Sequence, residues 1–161
     1  MIIRAVQPGD LPQWSLMRTQ LWPATEDGHV AELQEYFAGV STDIVEAFVL
    51  DGGEGELAGF LEMNIRNFAE GSRSPRLPYV EAWFVREAYR GLGWGKALMA
   101  RAEQWAAERG YRELASDTEL HNTHSIALHK ALGFRETERI VCFLKTLEPG
   151  AAGNCETSVE E

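Results

Sequence analysis

Cysteine is scarce: the 161 residues hold only two, Cys142 and Cys155. Their spacing fits neither a zinc-binding pair nor a disulfide framework, so both are expected as free thiols. Long apolar runs are missing as well. No stretch approaches the roughly 20 residues that a membrane-spanning helix needs. Met1-Ile2-Ile3-Arg4 passes into polar sequence rather than into a leader. A cytoplasmic protein with no membrane partner is the expectation. Basic residues are outnumbered, with 15 Lys and Arg against 25 Asp and Glu, a formal net charge of −10. A nucleic-acid partner needs a basic surface, so none is expected. An acidic surface keeps a protein soluble, and it also attracts cations.

What is present fits one soluble globular unit. The length is about that of a single domain, long enough to bury a core. We expect residues 1–148 to form that domain and residues 149–161, rich in Gly, Ala, Ser and Glu and without periodicity, to be a disordered tail.

Ile2–Val6 reads as a first strand, broken by Pro8-Gly9-Asp10. Trp14, Met17 and Leu21 then recur at helical spacing until Pro23. A second helix is expected over Val30–Phe37. Strands follow at Ile44–Leu50 and Leu57–Ile65, joined through the turn cluster Asp51-Gly52-Gly53-Glu54-Gly55. After a loop over residues 67–78, Tyr79–Val85 is almost continuously apolar, which marks a central strand; its one charge is Glu81. Leu98, Ala102, Trp105 and Ala106 stripe a helix over Lys96–Arg109, closed by Gly110. A short strand over Glu113–Asp117, a helix over Ser125–Leu132 and one or two last strands in Phe134–Leu147 complete the order. Interleaved helices and hairpins predict an α/β (α+β) fold with a mixed sheet.

Arg90-Gly91-Leu92-Gly93-Trp94-Gly95-Lys96-Ala97 lies between the central strand and the amphipathic helix. Glycines let backbone amides approach a ligand, and a helix start adds unpaired amides and the positive end of the dipole. Together they form a cradle for a pyrophosphate. A Walker loop would need Ser or Thr where Ala97 stands, and a dinucleotide fingerprint would follow the first strand of its βαβ unit.

The spacing Arg90-x-x-Gly93-x-Gly95 after an apolar strand resembles motif A of the GNAT acetyltransferases. Asn122-x-x-Ser125-x-x-x-His129-x-x-x-Gly133-Phe134 resembles motif B. The resemblance implies a GNAT fold: a mixed sheet of six or seven strands, about four flanking helices, and two central parallel strands that splay apart. It implies acetyl-CoA as co-substrate. The cofactor would be held by Phe84, Val85, Arg90, Gly91, Gly93, Gly95, Lys96, Asn122 and Ser125. His129 stands where the family usually has a tyrosine that protonates the departing thiolate. It either takes that role or packs beside the cofactor.

Leu21-Trp22-Pro23, Glu81–Val85, Ala115-Ser116-Asp117 and His129–Glu138 further resemble bacterial aminoglycoside 6′-N-acetyltransferases. That resemblance implies a polycationic acceptor, antibiotic resistance and a homodimer. It implies an acceptor cleft of Glu81, Asp117 and Glu138, with Trp22 as an aromatic wall, and Glu81 or Asp117 as the base. Carboxylates at strand ends face the usual ligand crevice of such sheets. Glu138 reads equally as a solvated residue and Trp22 as a core one; Glu26 and Asp27 are weaker acidic candidates. His121, His124 and His129 do not share one helix face, so a metal site is not expected. A polyamine, protein N-terminal or lysine acetyltransferase would carry the same motifs. A non-catalytic acyl-CoA-binding module would keep the cradle without a working acceptor site.

Overall fold

A computed structural model describes residues 1–25 and 28–149. The elements are β1 (Ile2–Ala5), α1 (Leu11–Leu21), α2 (His29–Phe37), β2 (Glu46–Gly53), β3 (Glu56–Arg66), β4 (Leu77–Val85), α3 (Trp94–Glu108), β5 (Ala115–Ser116) and α4 (Thr123–Ala131). The sheet order is β1-β2-β3-β4-β5. The first four strands pair antiparallel, and β5 joins β4 in parallel. The mixed sheet and four α-helices agree with expectation. The strand count among the described residues is five, not six or seven. Residues 134–148 form neither strand nor helix, which corrects the expected last strands. The composition there is that of a strand, but a strand exists only where a neighbour completes its ladder. Glu26, Asp27, Cys155 and nearly all of the expected tail lie outside the described residues.

The sheet is covered on both faces. Trp14, Met17 and Leu33 of α1 and α2 pack on Val49, Phe60 and Phe84. Leu98, Met99, Ala102, Trp105 and Ala106 of α3 pack on Phe48, Leu61, Met63 and Val80. Each buried Leu, Met, Val or Phe among them contributes about 1.5–3 kcal/mol.

One charge cluster is buried within this packing. Glu62 on β3 is 1% exposed and accepts from Trp14 Nε1 at 2.8 Å, Arg18 Nε at 2.8 Å and Arg18 Nη2 at 3.2 Å. Arg18 Nη1 reaches His29 Nδ1 at 3.1 Å and Glu32 Oε2 at 2.5 Å. Burial pushes the Glu62 carboxyl up, opposed by the charge and hydrogen bonds of Arg18. The cluster ties α1 and α2 to β3. Removing Arg18 would leave the buried Glu62 charge uncompensated, at a cost of about 3–5 kcal/mol.

Two irregularities in β4 shape what lies beside it. Glu62 pairs with Ala82 but Met63 pairs with Val80, so Glu81 is an extra residue, a β-bulge. Residues two apart on a regular strand share a face. Here Val80 faces α3 and Ala82 faces α1 and α2, so the bulge reverses the phase at Glu81. The second irregularity is a splay. β4 pairs with β5 only at Tyr79↔Ala115 and Val80↔Ser116, while β4 itself continues to Val85. Gly59 on β3 lets β4 approach at that end, because a Cβ there would stand 2.6 Å from the Phe84 carbonyl oxygen.

Candidate active site

Glu81 and Asp117 are the first residues beyond the last paired positions, Val80 and Ser116, of the two splaying strands. The two residues therefore hold matching backbone places where the strands begin to part. They are linked through side chains. Arg66 at the end of β3 donates from Nε and Nη2 to Glu81 at 2.7 and 2.6 Å. The same guanidinium lies 3.7 Å from the ring centre of Tyr79. The Tyr79 hydroxyl donates to Asp117 Oδ2 at 2.8 Å. Burial, and then the bond to Asp117, push the Tyr79 phenol well above its ordinary value, so it remains a donor. The Glu81 bond holds the Arg66 guanidinium charged.

His129 approaches from α4. Its Nδ1 lies 2.8 Å from the Ser125 carbonyl oxygen, which can only accept, so Nδ1 carries the proton. Nε2 faces the Ser116 hydroxyl at 2.8 Å. The ring edges meet Trp83 and Phe134, each with centroids 5.2 Å away. A cavity of about 120 Å³ is lined by Ser116, Asp117, His129, Phe134 and Thr137 among others.

The glycine-rich turn lies between β4 and α3. Gly91 and Gly93 have φ of 75° and 87°, a backbone that other residues rarely adopt. The first amide to close the helix is that of Ala97, bonded to Gly93 O at 3.0 Å. The amides of Trp94, Gly95 and Lys96 precede it and have no helical partner. Trp83 Nε1 donates to Gly95 O at 3.0 Å, which fixes the helix start against β4. Arg90 Nε donates to Val85 O at 2.8 Å and so braces the turn. Lys96 is exposed on the first helical turn. This donor set fits a pyrophosphate: free amides, a helix N-terminus and a cation beside glycines with no side chain in the way.

The other expected residues are more scattered. Phe84 is buried toward α1 and α2, and Val85 ends β4. Asn122 caps α4 by accepting from Ser125 N at 3.1 Å, and Ser125 Oγ meets His129 Nδ1 at 3.3 Å. Trp22 packs with Arg18, whose guanidinium is 5.2 Å from its ring, and with His29 at 6.2 Å. Glu138 is exposed in the stretch after α4 and is not part of the chain of contacts from Glu81 to Asp117. Among the described residues, no three His, Cys, Asp or Glu side chains could together hold a metal ion. No helix among them is long and apolar enough to cross a membrane.

Three members of the site were not read from the sequence. Arg66, Tyr79 and Ser116 gain their partners only through strand register and the splay. The one available signal was Arg66, a cation that ends an otherwise largely apolar strand.

A fold with a bulged strand, a splayed parallel pair and a glycine turn opening a helix is that of an acyl-CoA-dependent transferase. The profile of the Acetyltransferase (GNAT) family matches residues 13–134, and the chain belongs to that family. It is 35% identical over 150 residues to the aminoglycoside N(6′)-acetyltransferase type 1 of Stenotrophomonas maltophilia, covering 92% of this chain and 95% of the relative. It is 38% identical over 140 residues to the enzyme of that name from Serratia marcescens, covering 86% and 94%. Among solved structures, it resembles the apo aminoglycoside antibiotic 6′-N-acetyltransferase AAC(6′)-IG of Acinetobacter haemolyticus. That match has a TM-score of 0.80 and 30% identity and covers 92% of this chain and 100% of the other. AAC(6′)-Iy in complex with a bisubstrate analogue, CoA-S-monomethyl-acetylneamine, also matches with a TM-score of 0.80. Its identity is 34%, covering 91% of this chain and 98% of the other.

Proposed function

We propose that this protein is an acetyl-CoA-dependent aminoglycoside 6′-N-acetyltransferase, acting in the cytoplasm as a homodimer of folded units spanning residues 1–148 and conferring resistance. One observation supports the acceptor assignment: two acidic residues, Glu81 and Asp117, directly follow the last paired positions of the two parting strands. A polycationic amine meets paired negative charge there, on a protein of net charge −10. The kinship with 6′-acetyltransferases supports the same substrate class.

Acetyl-CoA supplies an activated acetyl thioester. Gly91, Gly93, Gly95, Arg90 and Lys96 would hold its pyrophosphate, helped by Asn122 and Ser125 at α4. The strand end at Phe84-Val85 offers backbone amides that orient the acyl arm and polarise its carbonyl. Glu81 and Asp117 hold the 6′-ammonium, and one of them takes its proton, directly or through water. The freed amine nitrogen bonds to the acetyl carbon as the carbon–sulfur bond breaks. The sulfur must gain a proton and the acylated nitrogen must shed one. Acting as the acid, His129 carries a proton on both ring nitrogens, gives the one on Nε2 through the Ser116 hydroxyl to the sulfur, and regains a proton from the nitrogen. Trp22 and Glu138 complete the wall for the remaining rings and ammonium groups.

Carbon-13 acetyl transferred to kanamycin tests the regiochemistry. The label is expected on the 6′ nitrogen in the product spectrum; label on another amine would refute the assignment.

A further inference from the structure

We infer that Tyr79 is a positioning residue for the acceptor: its hydroxyl holds the Asp117 carboxylate in place, and its ring carries the arginine that grips Glu81. The inference rests on the acceptor site proposed above and deepens it. Asp117 needs such a hold. It follows a strand of only two residues, stands past the last paired position and is exposed. An exposed side chain on unpaired backbone moves among its rotamers at little cost. A carboxylate that must meet an ammonium in one geometry has to be locked by its surroundings.

Tyr79 supplies the fixed point. Its backbone lies within the paired sheet, opposite Asn64 of β3 and Ala115 of β5. Its side chain is 3% exposed and packs with Ala69, Leu77 and Ala115. The ring is therefore held on all sides, and the hydroxyl at its end donates to Asp117 Oδ2 at 2.8 Å. Burial, and then that bond, keep the phenol protonated, so the donor persists. A carboxylate has two oxygens, so a bond at Oδ2 leaves Oδ1 for an ammonium.

The ring face serves the other carboxylate. The Arg66 guanidinium lies over it, 3.7 Å from its centre, and reaches Glu81 with two nitrogens. Stacking on an aromatic face keeps the guanidinium plane in one orientation. One buried side chain thus fixes both acidic groups, by its edge and by its face. A buried hydroxyl needs a partner, but a backbone carbonyl or a water would satisfy it equally well. This one meets the carboxylate that directly follows the last paired position of β5.

Calorimetric titration of kanamycin into the protein saturated with CoA, where no acetyl can be transferred, tests the role. Tyr79→Phe keeps the ring, its packing and the Arg66 stack, and removes only the donor. Kanamycin affinity should fall about tenfold, the lower end of what one hydrogen bond to a charged group contributes. CoA affinity and circular dichroism should be unchanged. On an Asp117→Ala background the hydroxyl has nothing to hold, so the same substitution should change kanamycin affinity little. Wild-type affinity in Tyr79→Phe would overturn the inference and leave the acceptor assignment standing. A loss of equal size on both backgrounds, or a loss of CoA affinity, would mean that the hydroxyl serves the fold alone, which also overturns the inference. A wild type that binds no kanamycin would overturn the acceptor assignment and the inference with it.

Discussion

Arg66 grips Glu81 with two nitrogens, at 2.7 and 2.6 Å. A positively charged acceptor must therefore meet a carboxylate already oriented, and half neutralised, by the protein. The bond fixes the Glu81 carboxylate against the end of β3 rather than leaving it free to rotate. Arg66→Leu removes that hold. Hydrogen bonds to charged groups contribute about 1.5–3 kcal/mol, so turnover should fall roughly tenfold to a hundredfold. Acetyl-CoA affinity should be unchanged. Arg66→Lys keeps the charge but not the two-pronged geometry and should fall between. Steady-state kinetics with calorimetry for acetyl-CoA checks this; wild-type turnover in the leucine variant would remove Arg66 from the site.

Much of this arrangement is legible in the sequence. Strong periodicity gave α3, and the apolar run gave β4 as a central strand. Glu81 stood out because a lone charge in such a strand needs a reason. The links between the carboxylates were not legible. Arg66 reaches Glu81 across a 15-residue separation, and that contact depends on hairpin register and on a bulge that no local pattern announces. The expected last strands failed for a different reason. Residues 134–147 have strand composition, but pairing is a property of two segments, and composition describes one.

The two carboxylates should differ from a remote one. Asp117→Asn and Glu81→Gln keep shape and remove charge. At least one should lose turnover by about 10²–10⁴-fold, the range for a general base. Glu138→Gln removes binding common to the ground and transition states, so chiefly the Michaelis constant should rise. Initial rates over an aminoglycoside series check the split. Full turnover in both amide variants would contradict the catalytic assignment.

Gly93 starts α3 with φ of 87°. A non-glycine residue there is strained by about 1–2 kcal/mol and pulls the first-turn amides out of line. Gly93→Val should weaken acetyl-CoA at least tenfold in calorimetry while melting remains cooperative. Undiminished affinity would move the pyrophosphate elsewhere.

His29 predicts how stability varies with pH. It is 4% exposed, and burial, with Arg18 beside it, lowers its pKa below the ordinary 6.5. Arg18 can only donate, so Nδ1 must accept and the ring is neutral when folded. Glu32 and Glu62 bind the same guanidinium, and the Glu32 charge partly offsets its effect on His29. Between the folded and unfolded pKa values the unfolded chain binds more protons, so stability falls as pH drops below about 6.5. One proton contributes at most about 1.4 kcal/mol per pH unit. His29→Asn should flatten the pH dependence of the urea midpoint between pH 7 and 5; an equal slope in wild type and variant would show that His29 does not titrate there.

If the splay accepts aminoglycosides, the initial rate of CoA release with different acceptors shows it most directly. Kanamycin, tobramycin, spermidine and a lysine-containing peptide would each be offered with acetyl-CoA at matched concentrations. Kanamycin and tobramycin should be acetylated fastest, with apparent affinity falling as salt rises, because screening shortens from about 10 Å at 0.1 M to about 3 Å at 1 M. Faster turnover of spermidine or the peptide, or no release with any acceptor, would contradict the account.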